Sequence, residues 1–182
     1  MEKVNVPKDF RDQFVDVLVD YAEANTEETN LLALTKPHPR VSPYLAWRKK
    51  SSGGRFGPLL AELAHGVFLP PAWRAHPLMI RFAELSNLIS SYQNDYVSFR
   101  CGMDTGRLNL VFALETEVSI SQGRALEYVL QFHDSTVLEY HELVQELATL
   151  AQEDPIVLRY LQVSKQVLIG STRYHELSAR FQ

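Results

Sequence analysis

A chain of 182 residues has room for one domain, or two very small ones, and can bury a core without metal or disulfide staples. Eighteen Lys and Arg against twenty-two Asp and Glu leave a formal charge of -4, which argues against nucleic acid and against a polybasic membrane anchor. No stretch approaches the roughly 20 apolar residues that span a bilayer. The charged N-terminus MEKVNVPKDFRDQF lacks the apolar core of a signal peptide. Cys101 is the single cysteine, so an internal disulfide and a multi-cysteine zinc site are excluded. A cytoplasmic protein is the expectation.

The pattern is helical almost throughout. Phe10, Phe14, Val17, Leu18 and Tyr21 recur at helical spacing after Pro7. Pro37, Pro39 and Pro43 then predict loop over 25–43, with at most one short helix. Tyr44 to Lys50 reads as a short helix stopped by Ser51-Ser52-Gly53-Gly54, and Pro58 to Val67 as another. From His76-Pro77 to Arg100, Ile80, Phe82, Leu85, Ile89, Tyr92, Tyr96 and Phe99 fit helical faces. After a break around Gly102 and Gly106, helix is predicted over Asn109–Thr116 and, capped by Ser121, through Leu150. Asp154-Pro155 opens a last helix towards Phe181, with Gly170 a point of bending. No strand pair is signalled. The chain reads as all-α.

Three constellations could carry chemistry. Asp12, Asp16 and Asp20 share one helix face and are either a cation stripe or, by greater weight, a solvated face. Asn94, Asp95 and Ser98 stand in an apolar helix, with a parallel set at Asn87, Ser91 and Asp95. Such residues either satisfy one another or point into a wet cavity, where Asn and Ser oxygens can ligate Mg²⁺. Arg48, Lys49 and Lys50 precede the glycine-rich break, a cationic group suited to phosphate. His133 and His141 lack a third ligand, His65, His76 and His175 are scattered, and nothing marks Cys101 as a nucleophile.

Taken together, these segments resemble the C-terminal part of class I terpene synthases. Tyr44-Leu-Ala-Trp-Arg48-Lys-Lys-Ser-Ser-Gly-Gly is similar to the family's Y-L-x-x-R-R-x-T-x-G segment, and Asn94-Asp95-Tyr96-Val97-Ser98 to the opening of its N-D-x-x-S-x-x-x-E metal motif. Arg48 and Asn94 stand 46 positions apart, close to the family's separation. Asn109-Leu110-Val111 resembles the N-L-V that follows the metal motif. Gln131-Phe132-His133-Asp134 and Leu138-Glu139-Tyr140 resemble the next long helix. Gly170 with Ser178-Ala179-Arg180-Phe181 resembles the terminal G…S-x-R-Y.

The resemblance implies a truncated class I terpene synthase-like helical bundle, with residues 1–182 forming one α-helical domain that lacks the N-terminal helices and their aspartate-rich motif. It implies that Arg48 and Arg180 are catalytic and hold diphosphate, with Phe181 beside them. Asn94 and Ser98 would contact substrate or Mg²⁺. The metal motif's acid falls on Gly102, so the third ligand is missing, and Asp104 or the Asn87-Ser91-Asp95 register are its possible substitutes. The implied activity is cyclisation or isomerisation of a terpenoid or prenyl diphosphate, in an apolar aromatic cavity without the full trinuclear Mg²⁺ cluster. The alternative is a non-catalytic binding or assembly partner. Half a bundle also implies exposed helix faces, to be covered by a homodimer or a partner chain.

Overall fold

The computed structural model describes residues 5–34, 39–102, 108–152 and 154–178. Among these, all regular structure is helical: α1 (Lys8–Leu34), α2 (Val41–Ser51), α3 (Phe56–His65), α4 (Pro71–Arg74), α5 (Pro77–Arg100), α6 (Leu110–Val118), α7 (Gln122–Leu150) and α8 (Pro155–Leu177). The helix starts follow local capping chemistry. Asn109, Ser121 and Asp154 each accept a backbone N–H with the side chain, satisfying donors that the first helical turn leaves open. Proline opens α4, α5 and α8 at the position where its missing N–H costs nothing.

One expectation is corrected. The predicted loop after Asn25 is helix as far as Leu34. The polar run from Asn25 to Asn30 lies on an α1 whose Ala24 is 1% exposed beneath α2. Trp47 of α2 donates its indole N–H to the Ala24 carbonyl at 2.7 Å. Tertiary packing on one residue face thus outweighs weak local propensity on the other. The last helix, by contrast, runs through Gly170 without interruption.

Helix α5 is the central element. Its Phe82, Leu85 and Ile89 pack with Tyr140, Leu143 and Leu147 of α7 and with Val157, Tyr160 and Leu161 of α8. The Phe82 and Tyr140 rings stack 5.1 Å apart. Each such side chain contributes about 1.5–3 kcal/mol by leaving water. A second cluster joins Tyr44 and Trp47 of α2 to Tyr92 of α5, Val111 and Leu114 of α6, and Val129 of α7. Most aromatic residues are spent in this packing. Burial pushes the Tyr140 phenol up to about 12, so it stays neutral.

A buried ion pair anchors the other end. Glu62 of α3 is fully buried and accepts from both terminal nitrogens of Arg74, at 3.1 and 2.6 Å, and from the Leu69 N–H at 2.9 Å. Arg74 also donates to the Leu69 carbonyl and to Asp9 of α1. Burial alone would lower the Arg74 pKa, but Glu62 reverses this and raises it, so the guanidinium remains charged. On the outer face of α1, Val15, Leu18 and Val19 are exposed. No helix among the described residues is long and apolar enough to cross a membrane.

Between α2 and α3 the chain breaks at Ser52–Arg55, with Gly53 at φ +73°. Gly54 lies so close to α5 that a Cβ there would overlap Asn87 Oδ1 and sit 3.3 Å from the Asn87 Cα. Gly54→Ala is therefore expected to cost about 1–3 kcal/mol through overpacking. Gly170, inside a helix with open space around it, should gain about 0.5–1 kcal/mol on conversion to Ala. Denaturant titration of both variants checks this, and equal shifts of the same sign would contradict the close approach.

Candidate functional site

Arg48 lies in the last turn of α2, at the helix break, and faces α5. One terminal nitrogen donates to Asn94 Oδ1 and to Asp95 Oδ1, each at 2.7 Å. Asp95 is 2% exposed. Its second oxygen accepts from the Tyr44 hydroxyl and, at 3.3 Å, from the backbone N–H of Leu110 at the start of α6. The positive end of that helix stabilises the same charge. Asn109 caps α6 at the Val111 N–H and donates its amide to the Asp95 carbonyl at 2.9 Å. The segment Asn109-Leu110-Val111 thus serves as the cradle of Asp95.

Asn94 is committed on both sides. Its Oδ1 faces Arg48, and its Nδ2 lies 3.2 Å from Nε2 of His175 on α8. His175 Nδ1 lies 2.8 Å from the Ser171 carbonyl, so the proton belongs on Nδ1 and the Nε2 lone pair receives the Asn94 amide. Sequence reasoning missed His175, which is brought in by the packing of α8 on α5 with no local signal. Ser98 donates its hydroxyl to the Asn94 carbonyl at 2.6 Å. The structure therefore joins Arg48, Asn94 and Ser98, as the motif spacing implies. Arg180, Phe181 and Asp104 lie outside the described residues.

The rival register has another role. Asn87 donates to the Lys49 carbonyl at 2.8 Å and accepts from the Ser52 hydroxyl at 2.6 Å, while Ser91 donates to the Asn87 carbonyl. Asn87 fastens the helix break to α5. The aspartate stripe divides likewise. Asp12 is exposed and pairs with Lys8, and Asp16 is exposed. Asp20 pairs with Arg55 and Lys50 beside the break. The hydrogen bond from Arg55, helped by Lys50, holds the Asp20 carboxyl below the usual carboxylate range.

These residues border a cavity of about 400 Å³, within the size range of small-molecule sites. Tyr21 and Trp47 are its aromatic lining residues, accompanied by Arg48, Asn94, His175 and several serines. The expectation of an aromatic, apolar lining is corrected here, because the core takes most of the rings. As arranged, the donor set does not fit a divalent cation. Asn94 Oδ1 is held by a guanidinium and both Asp95 oxygens are occupied, which leaves the neutral Ser98 oxygen as the remaining donor of the set. Position 102 is a glycine at φ +65° beyond the end of α5. Among the described residues no three His, Cys, Asp or Glu side chains are grouped as a metal site.

A model of terpene synthase family 2, C-terminal metal binding, matches residues 3–139, and the chain belongs to this family. It is 26% identical over 152 residues to terpene synthase 2 of Physarum polycephalum, covering 79% of this chain and 44% of that protein. Against the (+)-eremophilene synthase of Sorangium cellulosum it is 27% identical over 177 residues, covering 96% and 53%. The chain thus spans about half the length of the relatives it matches. Among solved structures, 2-methylisoborneol synthase from Streptomyces coelicolor A3(2) in complex with Mg²⁺ and geranyl-S-thiolodiphosphate superimposes with a TM-score of 0.84 at 22% identity, covering 97% of this chain and 56% of that one. Linalool/nerolidol synthase from Streptomyces clavuligerus gives a TM-score of 0.87 at 17% identity, covering 94% and 59%. The fold is that of the C-terminal part of a class I terpene synthase.

Tyr44→Phe removes one donor from the buried Asp95 carboxylate. A loss of about 1–3 kcal/mol in unfolding free energy is expected. A change below about 0.5 kcal/mol on denaturant titration would show that Arg48 and Leu110 suffice.

Proposed function

We propose that this chain forms one wall of a terpene synthase-like site, acting on a terpenoid or prenyl substrate by cyclisation or isomerisation without a full trinuclear Mg²⁺ cluster. The observation that supports this most directly is that Arg48 lies at the helix break, beside Asn94 and on the cavity. In this reading Arg48 and Arg180 hold a diphosphate or another polar group, with Phe181 close to them. A guanidinium fork suits such oxygens and stabilises charge that develops on a leaving group. Asn94 and Ser98 hydrogen-bond the substrate instead of holding a metal. The membership of the family and the names of its relatives support the substrate class.

One observation favours a second reading, that of a non-catalytic binding or assembly partner. Arg48 is already engaged by Asp95, which restricts it as a diphosphate clamp. In either reading the exposed Val15, Leu18 and Val19 of α1 are covered by a second copy or by a partner chain. The protein would act in the cytoplasm.

The test is incubation with prenyl diphosphates of several chain lengths, with Mg²⁺ and with EDTA, products being read by mass spectrometry. Cyclised or isomerised product in EDTA is expected. Arg48→Lys keeps a positive charge for Asp95 but loses the fork, and should lower turnover about tenfold or more with helical content unchanged. Product that requires Mg²⁺, or undiminished turnover in Arg48→Lys, would contradict the first reading. Ligand binding with no product would favour the second.

A further inference from the structure

Resting on the reading that Arg48 holds a diphosphate, we infer that His175 of α8 is a positioning residue for that guanidinium. By accepting from Asn94, it fixes which end of the Asn94 amide meets Arg48. Four groups are linked in series from α8 to α2. The Ser171 carbonyl lies 2.8 Å from His175 Nδ1, and His175 Nε2 lies 3.2 Å from Asn94 Nδ2. Asn94 Oδ1 then lies 2.7 Å from a terminal nitrogen of Arg48.

The direction of this series is fixed independently at both ends. A guanidinium only donates, so Asn94 must turn its oxygen to Arg48 and its amide N–H groups to His175. A carbonyl only accepts, so His175 must keep its proton on Nδ1 and its lone pair on Nε2. The two requirements agree at the contact between Asn94 and His175. An Nε2–H would turn the Asn94 amide round, and its NH2 group would then oppose the guanidinium. Arg48 would be left to Asp95.

Burial gives the arrangement its force. His175 is 8% exposed and the Arg48 side chain 14%, so water is a poor substitute for a lost partner. Asp95 draws the guanidinium towards α5, and Asn94 fixes the second contact of the same nitrogen. An arginine settled before its ligand arrives loses less freedom on binding. A histidine that only packs α8 on α5 needs no such polarity. The neighbouring bond between these helices, from the Thr172 hydroxyl to Gln93 Oε1 at 3.2 Å, fastens them without touching Asn94.

Two readouts test the inference. In the nitrogen-15 resonances of the neutral His175 ring, Nδ1 is expected to be protonated and Nε2 unprotonated. A protonated Nε2 overturns the inference, and this readout decides the case even where a variant does not fold. The second readout is calorimetric affinity for inorganic pyrophosphate in EDTA. His175→Phe keeps a ring without an acceptor and should weaken binding about tenfold. His175→Gln, whose amide oxygen can accept from Asn94, should stay within about threefold of the unaltered protein. Thr172→Val should bind as the unaltered protein does. Undiminished binding in His175→Phe overturns the inference and leaves the role of Arg48 intact. An equal loss in Thr172→Val or in His175→Gln has the same meaning. Pyrophosphate that fails to bind the unaltered protein removes the diphosphate reading itself, and this inference with it.

Discussion

The buried carboxylate of Asp95 is the constraint on which the site depends. A charge with 2% exposure is unfavourable unless partners replace its lost water. Here two elements converge on it to do so: α2 through Arg48 and Tyr44, and α6 through the Leu110 N–H. Removing one side of such a buried pair costs about 3–5 kcal/mol. The position of α2 against α5, and with it the direction of Arg48, is therefore set by neutralising this one group. Asn87, two turns earlier on α5, fastens the other side of the same seam by holding the Lys49 carbonyl and the Ser52 hydroxyl.

This arrangement shows how, among the described residues, the metal-motif sequence is engaged by its protein neighbours. Asn94 and Ser98 keep the helical spacing of ligands, yet both polar atoms of the Asn94 side chain are engaged, by Arg48 and by His175. The guanidinium supplies the positive charge that a divalent cation would otherwise bring to Asn94 and Asp95. Restoring an acid at Gly102 would not simply complete the motif. That residue lies past the last turn of α5 in a left-handed conformation, so its side chain would not continue the line of Asn94 and Ser98.

Much of the fold is legible in the residues. Asp154-Pro155 and Ser121 are local signals, and α7 and α8 begin where those signals stand. The end of α1 is not legible, because Ala24 is read only through its contact with Trp47. Of the site, Arg48 and Asn94 are found from their motifs and spacing. His175 has no such signal, since a histidine eighty-one positions from Asn94 becomes its neighbour only when α8 docks. Nor does the sequence distinguish a serine in the core from one on a cavity wall. Ser91 and Ser90 each donate to a carbonyl one turn back on α5, yet Ser91 is buried and Ser90, one residue earlier, borders the cavity. That difference is a matter of helix rotation, fixed by what packs on each face.

The most direct measurement is titration with Mn²⁺ as a paramagnetic substitute for Mg²⁺, with and without inorganic pyrophosphate, followed by electron paramagnetic resonance. If Arg48 takes the place of the cation at Asn94 and Asp95, the Mn²⁺ spectrum of the protein and that of its Ser98→Ala variant should be the same under both conditions. A protein-bound Mn²⁺ signal that disappears in Ser98→Ala would contradict the account and show that a divalent cation displaces the guanidinium.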